Sequence, residues 1–331
     1  TLVDSVVTGN YELLSSQPSN LRINWTARSG IAGGALLENP QVTLIDDGGN
    51  TISVAPFDTT TVTATITGPG GQLLAGGAVS ASGGVANFPN LSFAGRVGVN
   101  YTVEFAVSIP DPLSASAAAT IIKAAVNDFQ VLPGAPSSFR ITTQPSAAVA
   151  GVSFSPSVAL ELLDAYGNRV TNNNSFEIRP VFVAADDSTS NSATATASSG
   201  VITFANLNFT KSGDYRIRFE QVSTSPLASV TSSPFVISPA APHSVVWDVA
   251  PSDVVARALM TAPRLKVLDR FGNHVENDSA TLVTIQVRNS ASSAVTPAFA
   301  TGLSKQAAAG YVTFDNLALG LAADTYSLRV V

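Results

Sequence analysis

The sequence predicts an all-β chain of three tandem β-sandwiches, and three observations carry that prediction. Its patterning is period two, four landmarks recur three times in one order, and its composition suits sheet and turn. Only 12% of the 331 residues are charged, against about 25% in an average globular protein. Ser, Thr, Ala, Val, Gly and Asn fill the gap, and they favour exposed sheet and turns over long helices.

The first landmark is an apolar strand start near Leu21, Phe139 and Val245. The second is Asp-x-x-Gly-Asn, in LIDDGGNTI (44–52), LLDAYGNRV (162–170) and VLDRFGNHV (267–275). GVANFPNLSF (84–93), GVITFANLNF (200–209) and GYVTFDNLAL (310–319) form the third. The fourth is a Tyr opening an alternating run: YTVEFAV (101–107), YRIRFEQV (215–222) and YSLRVV (326–331). Asp-to-Phe spacings of 42, 40 and 45 residues (46→88, 164→204, 269→314) keep the copies in register. Fixed order at near-constant spacing is the signature of an internal repeat.

Within each copy, apolar residues alternate with polar ones. Tyr215, Ile217 and Phe219 point one way while Arg216, Arg218 and Glu220 point the other; Val158, Leu160 and Leu162 alternate alike, as do Val283, Ile285 and Val287. Such segments are strands with one face on a core and one in water. Several per roughly 110 residues, with turn residues between, indicate a sandwich. SASAAATIIKAAV (114–126) is the best helical candidate, yet it runs directly into strand-like FQVL.

The Asp-x-x-Gly-Asn element reads as a turn. The apolar pair before each Asp ends a strand, Gly-Asn gives the backbone freedom to reverse, and the Asp side chain caps nearby amides. The repeated turn residues are Asp46 and Asn50, Asp164 and Asn168, and Asp269 and Asn273.

The Tyr in SGDYRIRF stands where immunoglobulin-type sandwiches place a corner tyrosine at the start of strand F. With the Asp-x-x-Gly-Asn turn and the later Gly-x-x-x-Phe … Gly-x-Tyr pattern, the repeats resemble the tandem bacterial Ig-like domains of large surface adhesins, of the invasin and intimin kind. The resemblance covers all three copies. It is weakest in the first, where Asp47-Gly48 replaces Ala165-Tyr166 and Arg270-Phe271. It implies three tandem immunoglobulin-like sandwiches in an elongated array on a bacterial surface, serving as spacers or carrying binding surfaces.

The joins FQVLPGAP (129–136) and FVISPAAP (235–242) have an earlier relative in YELLSSQP (11–18). In the two internal copies the aromatic-led segment is the last strand of the preceding domain. Residues 1–14 are therefore expected to be an orphan final strand, followed by domains at 19–133, 137–239 and 243–331, the last lacking its final strand. Phe139 to Val245 spans 106 residues, and Val245–Val331 joined to Thr1–Leu21 makes 107. Two readings follow. The chain is an excerpt of a longer array, or its N-terminal strand completes the third domain of a neighbouring copy. In the second, Val7, Tyr11 and Leu13 are the donor residues, and the acceptor edge is Tyr326, Leu328 and Val330. Main-chain hydrogen bonds then supply affinity and side-chain pockets supply specificity. Pro in LPGAP and SPAAP restricts the backbone and makes stiff hinges.

Enzyme chemistry finds no support. The chain has two histidines, His243 in a join and His274 after a turn, with no Gly-x-Ser-x-Gly elbow and no phosphate-binding loop. It has no cysteine, which excludes disulfides and thiolate metal sites and fits an exported bacterial protein. No cofactor is expected. Calcium is weighed at Asp46-Asp47, Asp186-Asp187 and the repeated turn, but one Asp per turn falls short of the six to eight oxygens it takes. A net charge of −6 and pI near 4.9 argue against nucleic acid, which calls for a basic stripe. No apolar run approaches the roughly 18 residues of a membrane span. The opening TLVDSVVTGN has no basic or apolar export-signal region. Trp25 and Trp247 are expected partly buried at domain junctions, a glycan platform being the alternative.

The expected function is structural and extracellular: a spacer in a surface adhesin, or a subunit of a fibre assembled head-to-tail by strand donation. Its partners are copies of itself or neighbouring repeats. The rival is a module whose loops bind a glycan or protein, which loop-tip aromatics clustered at one end of a domain would favour.

Overall fold

The computed structural model describes residues 16–34, 36–110, 119–184, 189–191, 194–224, 226–288, 300–320 and 325–331. Every regular element among them is a strand, and no helix is long and apolar enough to cross a membrane. The chain forms two compact units. One is Thr1–Arg140 with Glu161–Ser175 and Ala197–Val201; the other is Ile141–Leu160 with Phe176–Thr196 and Ile202–Val331.

One sheet pattern recurs three times. In the first repeat, Asn20–Asn24, Gln41–Ile45 and Val85–Asn87 form a three-stranded sheet. A five-stranded sheet runs in the order Ser29–Ile31, Thr120–Leu132, Asn100–Ile109, Thr61–Thr67, Ala78–Ser80. Ser29–Ile31 pairs in parallel and the other strands antiparallel. Strands distant in sequence pair while neighbours split between the sheets, as in an immunoglobulin-like sandwich.

The pleat explains which residues fill the core. Along Asn100–Ile109, Tyr101, Val103, Phe105, Val107 and Ile109 are each at most 1% exposed, and the residues between them face outward. Phe105 packs edge-on against Phe88 at 5.1 Å and Trp25 at 6.3 Å between ring centroids. Trp25 also lies 5.4 Å from Phe129. Trp25 therefore belongs to the heart of the first core, which corrects its expected place at a junction and removes it as a displayed platform.

The corner tyrosines are fixed by their hydroxyls. The Tyr101 hydroxyl accepts the Arg96 N–H at 2.7 Å and donates to the Pro69 carbonyl at 3.0 Å. The Tyr215 hydroxyl donates to the Lys211 carbonyl at 3.2 Å.

The segment with the most helical composition is a strand. Thr120–Leu132 pairs with Asn100–Ile109 along its length, broken by a register shift between Val126 and Phe129, where Asp128 takes φ 61°. Alternate burial of Ile122 and Val126 on the first core overrides the helical preference of its alanines. Residues 114–118 of the candidate helix lie outside the described residues.

The second repeat has a three-stranded sheet of Ser138–Thr143, Val158–Leu163 and Val201–Phe204. Its other sheet runs Ala148–Val149, Phe235–Ser238, Gly213–Gln221, Glu177–Ala184, Thr189–Asn191. The third repeats the first layer with Pro242–Val249, Arg264–Asp269 and Tyr311–Thr313. Its second layer is shorter, in the order Ser304–Gln306, Leu282–Arg288, Ser327–Val330.

That shortening matters. Asn100–Ile109 and Gly213–Gln221 each have a strand on both sides. Ser327–Val330 pairs with Leu282–Arg288 on one side, and among the described residues no strand lies on the other.

Phe105→Ala removes a ring from the closest-packed part of the first core and is expected to cost about 3–5 kcal/mol, read as a lowered denaturant midpoint.

Candidate functional site

Two places carry chemistry that the sandwich itself does not require: the repeated turn and the open edge of the third repeat.

Each turn closes around its Asp. The Asp N–H donates to the Asn carbonyl four residues on, at 2.9–3.0 Å, and the glycine N–H donates back to the Asp carbonyl. Gly49, Gly167 and Gly272 take φ of 80°, 79° and 82°, the left-handed region that glycine enters without a Cβ penalty. One carboxylate oxygen of Asp164 accepts the N–H of Tyr166 and of Asn168, at 2.8 and 2.9 Å. The other accepts the Asn168 amide at 3.1 Å and the N–H of Gly134, in the join, at 2.9 Å. Asp269 repeats the set with Phe271, Asn273 and the join residue Ala240. Asp46 does so with Gly48, Asn50 and Ser16.

The Asn then reaches into the preceding repeat. Asn168 donates to the Gly95 carbonyl at 3.0 Å and accepts the Val97 N–H at 3.0 Å. Asn273 donates to the Thr210 carbonyl at 2.7 Å and accepts the Ser212 N–H at 3.0 Å. Each clasp lies wholly inside one compact unit. An aromatic completes it: a Cβ on Gly33 would overlap the Tyr166 ring, and one on Gly151 the Phe271 ring. These are the exposed aromatics among the described residues, and both sit on the preceding repeat instead of clustering at a loop tip.

Sequence reasoning found the Asp and the glycine but missed the second bond of the Asn and the role of the aromatic. The signal was present, since Tyr166 and Phe271 share a register, as do Gly33 and Gly151.

The carboxylates are held ionised. Burial pushes Asp164 up, but the amides of Gly134 and Asn168, the Asn168 side chain and the Tyr166 N–H outweigh it and hold its pKa below the usual value. Asp269 is lowered against burial by the Asn273 side chain and the Ala240, Asn273 and Phe271 amides. Asp46 is lowered, chiefly by the Asn50 amide. With these oxygens facing N–H donors, the turns are built as anion caps. Among the described residues no group of three or more His, Asp or Glu is placed to hold a metal; Asp186-Asp187 lie outside the described residues.

Of the expected acceptor residues, Leu328 and Val330 lie in Ser327–Val330, which has one strand partner among the described residues, and Tyr326 immediately precedes it. Leu328 and Val330 pair with Val287 and Ile285. Tyr326, Leu328 and Val330 are only partly buried against the third core, whereas Tyr101, Val103, Phe105, Ile217 and Phe219 are at most 1% exposed. Met260 is likewise half-buried where the second repeat has the buried Phe154; Trp247, which pairs with Leu265 as Ile23 pairs with Val42, is half-buried as Ile23 is. The donor residues Val7, Tyr11 and Leu13 lie outside the described residues.

His243 is exposed, and His274 packs on Tyr311 at 4.5 Å between ring centroids. A cleft of about 410 Å³ opens nearby, lined in part by Asp214, Ser238, His274 and Glu276.

No protein-family model matches the chain, and no curated protein matches it. Among solved structures it is similar to the FN1–FN3 domains of chicken CNTN1, at 12% identity, covering 95% of this chain and 92% of that one, with a TM-score of 0.28. A tetra-tandem repeat from the extending region of a large adhesion protein is 14% identical over 88% of this chain and 69% of that one, with a TM-score of 0.24. A two-domain fibronectin type III segment of chicken tenascin is 11% identical over 65% and 97%, with a TM-score of 0.21. At these TM-scores the likeness assigns no function, and the sandwich is read from the chain's own sheets.

Asp164→Ala strands several buried amides and is expected to cost about 2–4 kcal/mol. Because the folded pKa values of Asp164 and Asp269 lie below the unfolded value of about 3.9, the unfolded chain takes up protons first. Their contribution is complete above about pH 5 and is lost as pH falls through the depressed folded values. Stability measured against pH should drop on the acid side, and Asp164→Asn should flatten that limb.

Proposed function

We propose that the chain is a structural extracellular protein of bacteria, made of three immunoglobulin-like domains in tandem, whose third domain is completed by a strand from another copy. It acts as a fibre subunit or as a spacer in a surface adhesin. The observation that supports this reading is the half-burial of Tyr326, Leu328, Val330 and Met260 around a strand that, among the described residues, has one partner.

In the first two repeats the position beside that strand is filled by Phe129 and Val131 or by Phe235 and Ile237, all at most 6% exposed. YELLSSQP matches those segments from its aromatic onward, so Tyr11 stands for the Phe and Leu13 for the aliphatic residue two places on. Strand addition would satisfy the side of Ser327–Val330 that no described strand pairs and cover the apolar residues beside it. Donor and acceptor surfaces differ, so the contact is heterologous and propagates as an open chain.

Deletion of residues 1–14 tests this. Light scattering is expected to show concentration-dependent polymers for the full chain and monomers for the deletion, with the first two repeats still folded. Tyr11→Ala should weaken association about tenfold or more, as loss of a buried aromatic anchor does. A full chain that stays monomeric at high concentration sinks the strand-donation reading.

A further inference from the structure

The two clasps inside the chain follow one steric rule. An aromatic two residues after the turn Asp lies on a left-handed glycine of the preceding repeat, and that glycine must lack a Cβ. Gly33 and Gly151 are matched backbone positions. Gly33 N–H donates to the Phe93 carbonyl at 2.9 Å and Gly151 N–H to the Phe209 carbonyl at 2.6 Å, with φ of 71° and 79°.

The third repeat has the same position, and it is Arg257. Its N–H donates to the Leu319 carbonyl at 2.7 Å, its φ is 68°, and the next residue, Ala258, donates to Val255 as Gly34 does to Ile31 and Val152 to Val149. A left-handed arginine costs roughly 1–2 kcal/mol where glycine would cost nothing. Its Cβ also occupies the space that Tyr166 and Phe271 use in the other two joints. A turn carrying an aromatic cannot dock there.

One turn of the three carries no aromatic. The first has Gly48 where the others have Tyr166 and Phe271, and Asp47 where they have Ala165 and Arg270. Asp47, Gly48 and Asn50 are exposed, although Asn168 and Asn273 are buried in their clasps. Among the described residues the Asn50 side chain bonds only to Asp46. The position that Asp47 holds does reach the seat, for the Arg270 guanidinium lies 2.8 Å from where a Gly151 Cβ would stand. The two departures from the rule therefore complement each other. One end has lost a ring and gained a carboxylate; the other has lost a glycine and gained a guanidinium.

We propose that the Asp47–Gly48 turn of one copy docks on the Arg257 seat of a second copy, with Gly48 leaving room for the arginine and Asp47 pairing with it. Asn50 then grips the loop of the preceding copy as Asn168 and Asn273 grip theirs. This rests on the head-to-tail reading above and specifies its joint. Because aromatic-bearing turns are excluded from the Arg257 seat, the internal turns cannot compete for it, and the register of assembly is set by exclusion as well as by attraction.

The test is self-association of the full chain by analytical ultracentrifugation, at low and high salt. Asp47→Arg and Arg257→Asp are each expected to raise the dissociation constant about three- to fivefold at low salt, as loss of an exposed ion pair does; the double reversal restores it. Gly48→Tyr should weaken association on the order of tenfold, about 1.4 kcal/mol, and Arg257→Gly added to it should recover association by rebuilding the aromatic-on-glycine joint. The rebuilt joint should lose the salt dependence of the wild type. Binding of a labelled peptide of residues 1–14 to the third repeat reports strand donation separately and should be unchanged in every variant. If Gly48→Tyr and both charge variants associate like wild type while the 1–14 deletion still abolishes association, the joint is refuted and strand donation stands. If the full chain never associates, both fall.

Discussion

A carboxylate taken out of water must be surrounded by donors, and the joints of this protein are organised around that requirement. Asp164 and Asp269 each collect two amides from their own turn, one from the join behind them and one from an Asn side chain. The join amide matters most for architecture. It ties the segment leaving one repeat to the first turn of the next, so a Pro-rich join becomes a bonded part of the structure. The Asn, held in place by the same carboxylate, has both ends of its amide free to bridge a loop of the preceding repeat. One ionised group thus orders a turn, a join and a contact between repeats.

Sheet edges impose a second requirement. A strand inside a sheet spends both sides of its backbone on neighbours, and an unpartnered one is a template for whatever strand arrives. In the first two repeats the position is filled from within, and the core beneath is closed by Phe129 or Phe235. In the third, residues that elsewhere are sealed remain half-buried. In the proposed assembly an incoming strand would supply area and backbone bonds, and a turn clasp would tie its loop to the neighbouring copy.

The deviations from the repeat are more informative than its agreements. Gly48 stands where the other turns carry Tyr166 and Phe271, and Arg257 where the other repeats carry the left-handed Gly33 and Gly151. A left-handed residue with a side chain is strained, and persists where the surroundings favour it. The first turn and the third seat are unlike their counterparts in opposite senses of size and charge, and the proposed joint uses that relation.

The sequence by itself determined the elements that depend on near neighbours. Period-two alternation fixes which side of Asn100–Ile109 or Gly213–Gln221 faces a core, because the pleat is a property of consecutive residues. An Asp followed four residues later by Gly-Asn's final member fixes the turn, because its bonds close within five residues. Tertiary structure alone decided what depends on distant partners. It drew Thr120–Leu132 into a strand against its alanine content, since pairing with Asn100–Ile109 outweighs local preference. It placed Trp25 among Phe105 and Phe129, from strands far along the chain. It also gave Asn168 and Asn273 their second partners, 71 and 61 residues away. A side chain's type announces that it can bond twice; only the packed fold says to what.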